Sequence, residues 1–149
     1  MKIRLSPRIY TFETTTRWTQ KRKGILSSGD KRSIEIACPP EFGGHQDYWT
    51  AEHLFVASIE TCIMTTFKWL IEKSKGKLIA YKSKAVGTAK MVNGDFKFSK
   101  VEIKPSIVVP DRESFLKAKK EIENADNQCL ISKALNVKII IKPEIKCDE

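Results

Sequence analysis

No Gly-x-Gly-x-x-Gly, phosphate-binding loop, Gly-x-Ser-x-Gly or His-Glu-x-x-His occurs in this chain. That removes the common dinucleotide, nucleotide, serine-hydrolase and zinc-protease readings, and no cofactor is expected. No uncharged apolar run reaches about 18 residues, so no transmembrane helix is expected. The N-terminus MKIRLSPRIY has no apolar signal-peptide core, which points to the cytosol. Repeats and low-complexity segments are absent. The two histidines, His45 and His53, stand at no zinc spacing from any cysteine, so no metal is expected.

There are only four cysteines in 149 residues, and none forms a Cys-x-x-Cys pair. Cys62 lies within the most apolar stretch, AEHLFVASIETCIMTTFKWLI, and Cys129 opens the run CLISKALN. Two such thiols are either inert core residues or two halves of a redox device that the fold brings together. In the cytosol thiols are kept reduced, so a disulfide there is transient and catalytic rather than structural. Thr61, Thr65 and Thr66 make the surroundings of Cys62 less apolar than a pure core and suggest an adjoining cavity. Asp126 and Asn127 are candidate caps for a short helix beginning at Cys129, where the thiolate would be favoured. Cys38, beside two prolines, and Cys147, near the C-terminus, read as bystanders.

The formal net charge is +9, from 27 Lys and Arg against 18 Asp and Glu. The lysines are spread along the chain, and the densest cluster, Lys21-Arg22-Lys23, is too short for a basic arm. No nucleic-acid partner is expected.

At 41% hydrophobic content the length suits a single domain over residues 1–149, or two intimately joined lobes. Residues 2–37 read as strands, and CPPEFGGHQDY as a loop. Thr50 is positioned to cap a helix, with Glu52 in its first turn, that runs to about Lys75 and stops at Gly76. This helix is apolar on most of its circumference, which calls for burial in a dimer. Residues 78–92 and 96–110 read as a hairpin turning at Asn93-Gly94. A surface helix over 111–126, a short helix over 129–135 and a final strand over 137–145 complete an α+β order, βββ-α-ββ-αα-β.

PPEFGG, WTAEHLFVASIETC and the distant NQCLISKAL together resemble the OsmC/Ohr family of peroxide-reducing proteins. The resemblance spans nearly the whole chain. It implies antiparallel sheets around a long buried central helix, an intertwined homodimer, and active sites at the subunit interface. It implies reduction of organic hydroperoxides, with Cys62 as attacking thiol and Cys129 as resolving thiol. An external dithiol, lipoyl or thioredoxin-like, would then restore the thiols. The family's activating pair falls on Glu52 and on Arg22 in RKG, with Arg17 as the alternative arginine. Leu130 stands where the family often has proline, Gln128 offers no histidine, and GGHQDYW replaces a more glycine-rich loop; these mark a divergent branch. A non-catalytic dimeric binding or redox-sensing protein is the competing reading.

The expected chemistry sets physical demands. A free thiol with pKa near about 8.5 is mostly protonated at neutral pH, and burial raises that value. A guanidinium reverses the sign, and a carboxylate can hold the guanidinium through a bidentate pair. Glu52 and Cys62, however, lie about ten positions apart, roughly 15 Å along a straight helix. Either the helix breaks near Ser58, or the two groups meet across subunits. Phe42, Trp49, Phe55 and Met64 are candidates for an apolar substrate pocket.

Overall fold

A computed structural model describes residues 8–148. The strand reading for residues 2–7 therefore falls outside the described residues. The chain divides into two units, residues 1–51 and 52–149.

The first unit is an antiparallel three-stranded sheet in order β1 (Thr15–Gln20), β2 (Lys23–Ser27), β3 (Ile34–Ala37). The expected first strand begins later than its Thr- and aromatic-rich text suggests, because residues 8–14 carry no regular structure. Between β1 and β2 the chain reverses at Lys21-Arg22, with Lys21 at φ 48° and its carbonyl accepting from Trp18 Nε1 at 2.7 Å. The Pro-Pro loop contains a single 3-10 turn, Pro40–Phe42, closed by left-handed Gly43.

In the second unit, α1 (Ala51–Lys73) is one continuous helix of 23 residues. No break occurs at Ser58, whose hydroxyl donates to Phe55 O at 2.7 Å without interrupting the helix. The expected stop is close, but its left-handed residue is Lys75 (φ 59°) rather than Gly76. Gly76 N–H bonds to Ile71 O at 2.8 Å and Lys75 N–H to Glu72 O at 2.9 Å. That pairing satisfies the last helical carbonyls. By length and apolarity alone α1 would qualify as a membrane span. In this fold its stripe Ile59, Ile63, Phe67 and Ile71 is fully buried in the protein core.

Strands β4 (Ala80–Val92) and β5 (Asp95–Val109) form the long hairpin. Asn93 (φ 50°) and Gly94 (φ 86°) make the two-residue turn, both in the left-handed conformation that such a turn requires. The single final strand expected over 137–145 is instead two, β6 (Lys138–Ile141) and β7 (Glu144–Cys147), each parallel to β5. Pro143 lies between them and cannot donate to a ladder. On β5, Pro105 falls in the gap between the residues paired with β6 and those paired with β7.

Helices α2 (Arg112–Gln128) and α3 (Leu130–Ala134) follow β5. The core joins Ile59, Ile63, Phe67 and Ile71 of α1 to Val101, Ile103, Ile107 and Val109 of β5. Ala118, Ile122 and Ala125 of α2, with Cys129, complete it. Alternation along β5 sends its odd-numbered residues inward from 101 to 109 and leaves the even-numbered ones on the opposite face.

Candidate functional site

The fold brings Cys62 and Cys129, separated by 67 positions, into a disulfide with Cα atoms 5.9 Å apart. That separation lies in the range usual for such a bond. Cys62 sits at the start of the fourth turn of α1, half-buried, beside the core stripe. Its sulfur lies 3.9 Å from Thr66 Oγ1, one turn further along.

Cys129 is fully buried and sits at the junction of two helices. Its N–H bonds to Asp126 O at 3.3 Å, closing α2, and its sulfur accepts the Ser132 N–H at 3.4 Å, capping α3. The expected caps, Asp126 and Asn127, do not serve: α2 continues through Gln128, so both are inside that helix and the sulfur itself is the cap. Two polar atoms nearby in sequence, Asp126 Oδ1 and Ser132 Oγ, are buried without a hydrogen-bond partner.

A cavity of about 380 Å³ opens beside α1, lined by Met64, Thr65, Phe67, Trp69, Leu78 and Tyr81, with Lys68 and Glu72 also on its wall. Met64 and Thr65 therefore adjoin a cavity as expected, but Cys62, Thr61 and Thr66 do not line it. Phe55 does not line it; the ring stacks on Phe98 with centroids 4.5 Å apart. Tyr81 presents a hydroxyl that is buried without a partner, while Ser83 Oγ, two residues on, donates to Glu60 Oε1 at 2.5 Å. Burial pushes the Tyr81 phenol above its ordinary value, and the Glu60 charge adds to the effect.

Glu52 lies in the first turn of α1, and its Oε2 is buried with no hydrogen-bond partner. Because α1 is unbroken, Glu52 and Cys62 of one chain are held roughly 15 Å apart. Arg22 lies in the exposed turn before β2, where Nη1 donates to Phe42 O in the PPEFGG loop. The same carbonyl accepts from Cys38 Sγ at 3.7 Å, and Cys38 N–H bonds to Arg22 O at 3.1 Å. Arg17 is on β1, exposed and opposite Ile25. Cys147 lies on β7 opposite Val109 and packs against the core.

Sequence reasoning passed over Ser132 and the Tyr81–Ser83–Glu60 group. Ser132 had a legible signal: Cys-Leu-Ile-Ser has the spacing of a helix cap, with sulfur in place of the usual oxygen. The Glu60 partner had none, because it is made by strand register against a helix.

A two-sheet α+β protein whose long core helix presents one member of a redox-paired cysteine couple is a recognisable class. The sequence profile of the OsmC-like proteins matches residues 44–144, and the chain belongs to that family. Solved structures agree. An OsmC-like protein of unknown function from Vibrio cholerae superposes with a TM-score of 0.83 at 18% identity, over 91% of this chain and 100% of that one. An organic hydroperoxide resistance protein from Elizabethkingia anophelis gives 0.72 at 25% identity, over 96% and 100%. One from Bacillus subtilis gives 0.66 at 23%, over 92% and 98%. A comparison with curated proteins found no sequence match.

Proposed function

We propose that the protein is a cytosolic, cysteine-based peroxidase that reduces organic hydroperoxides to alcohols. The observation that carries this reading is the Cys62–Cys129 disulfide, which joins two thiols remote in sequence and expected as attacker and resolver. The likeness to hydroperoxide resistance proteins from two organisms supports the choice of substrate.

In this reading the Cys62 thiolate attacks the outer peroxide oxygen, releasing the alcohol and leaving Cys62 as a sulfenic acid. Cys129 displaces water from that sulfur to form the disulfide, and an external dithiol reduces it. Cys62 rather than Cys129 is the attacker because it is the half-buried partner, whereas Cys129 offers no surface to a substrate.

Activation needs a cation, and Arg22 is assigned that role, with Glu52 holding its guanidinium. A buried carboxylate oxygen without a partner is costly, and a guanidinium would relieve it. The unbroken helix leaves a site composed across a homodimer, Glu52 from one subunit serving Cys62 of the other. The exposed side of α1, with Met64 and Trp69 39% and 51% accessible, supports such an assembly.

The test is consumption of cumene hydroperoxide with dihydrolipoamide as reductant. Wild type is expected to turn over and Cys62→Ser to be inactive; turnover that survives the substitution would overturn the reading.

A further inference from the structure

The two sulfurs of the disulfide differ in a way that decides how the bond is reopened. Cys129 has no accessible surface and is packed among Ile122, Ala125 and the rest of the core, whereas Cys62 is only half-buried. Thiol–disulfide exchange proceeds by attack of a thiolate on one sulfur and departure of the other as thiolate. Access therefore directs the nucleophile to Cys62.

The hydrogen bonding points the same way. Cys129 Sγ accepts the Ser132 N–H at 3.4 Å, a fixed donor that strengthens as charge accumulates on the sulfur. Ser132 also holds a buried hydroxyl with no partner in the oxidised protein, a second donor carried on the same residue. Around Cys62 the hydrogen-bonding group is Thr66 Oγ1, at 3.9 Å. That donor stabilises the Cys129 thiolate as it departs, while access leaves Cys62 as the sulfur that is attacked.

We propose that the reductant enters through the Cys62 sulfur, with Cys129 as the leaving thiolate and Ser132 as the residue that positions and stabilises it. This rests on the peroxidase reading only for the identity of the reductant as a dithiol. One thiolate of the dithiol bonds to Cys62 Sγ as the Cys62–Cys129 bond breaks, giving a mixed disulfide and a Cys129 thiolate, which takes up a proton. The second thiol of the reductant loses its proton and attacks its own partner sulfur, expelling the Cys62 thiolate. The dithiol leaves as a disulfide, oxidised by the two electrons that the protein gains.

The full-length protein, oxidised with diamide, is exposed to limiting 2-mercaptoethanol, quenched with acid and N-ethylmaleimide, and mapped by peptide mass spectrometry. The expected product carries mercaptoethanol on Cys62 and maleimide on Cys129, in at least roughly tenfold excess over the reverse pattern. Mercaptoethanol chiefly on Cys129, an even split, or no adduct on Cys62 would overturn the proposal. A second measurement addresses Ser132. In Cys62→Ser, further substitution Ser132→Pro removes the N–H donor and is expected to raise the Cys129 pKa, read from thiolate absorbance near about 240 nm. In the otherwise wild-type chain it is expected to slow dithiol reduction roughly three- to tenfold. An unchanged titration would overturn the role of Ser132. Because diamide forms the disulfide, a protein that shows the expected adduct yet fails with cumene hydroperoxide would sink the peroxidase reading alone. Peroxide turnover with the adduct on Cys129 would sink this inference alone.

Discussion

A single residue, Cys129, ends one helix through its N–H, caps the next through its sulfur and bonds to a cysteine on a third. Its position was legible as the start of a short helix, but its role as cap was not, because sulfur is an unusual cap and Asp126 and Asn127 were better by type. Glu52 shows the reverse: its place in the first turn of α1 was legible, and its orphaned oxygen was not, since burial of one atom depends on packing. Two expectations belong to this scale. On the proposed assignment of Arg22 as activator, Glu52→Gln should loosen its guanidinium and raise the Cys62 pKa by about one to three units. The thiolate at pH 7 then falls roughly tenfold per unit, checked by the pH dependence of Cys62 alkylation. Tyr81→Phe removes a buried hydroxyl whose neighbour Ser83 is bonded to Glu60 instead, so denaturant unfolding at pH 7 should shift by no more than about 1 kcal/mol. The same substitution should blunt the alkaline loss of stability. Since the folded phenol resists ionisation, the unfolded chain loses its proton first, and stability falls as pH rises above about 10.

At the scale of elements, α1 decides most of the argument. Its extent was legible from the apolar run and from Gly76, and only the identity of the left-handed residue was missed. Its continuity was a genuine alternative in the sequence, since a serine such as Ser58 can bend a helix or simply bond back to a carbonyl. Ile63 lies at the centre of the buried stripe, and Ile63→Ala should cost about 2–5 kcal/mol in denaturant unfolding. The hairpin was fully legible at Asn93-Gly94, whereas the split between β6 and β7 was not: Pro143 is one residue inside a run that otherwise reads as strand. Register also gathers lysines that are dispersed in sequence. On the face of the sheet away from the core, Lys84 pairs with Lys104 and Lys100 with Lys138, like charges directly opposed. Lys84→Glu should therefore stabilise the sheet at low salt by roughly 0.2–1 kcal/mol. The gain should shrink by 1 M salt in thermal unfolding, and a salt-independent change would contradict the electrostatic cause.

For the whole molecule, the α+β order and the family were legible, because helix and strand periods and the two-cysteine spacing survive divergence. The proposed meeting of Glu52 and Cys62 was not, because in that proposal it depends on a second copy of the chain. Subunit mixing tests that assembly: co-refolding inactive Cys62→Ser with the impaired Glu52→Gln makes heterodimers with one intact composite site. Statistical pairing then restores about a quarter of wild-type activity, whereas a site completed within one chain restores none. The central claim, that Cys62 is the atom the peroxide oxidises, is tested most directly in Cys129→Ser, which cannot resolve the first product. One equivalent of cumene hydroperoxide should leave a single oxygen on Cys62, captured by dimedone and located by mass spectrometry. A Cys62 that stays reduced while the peroxide is consumed, or a dimedone adduct on Cys38 or Cys147 instead, would contradict the account.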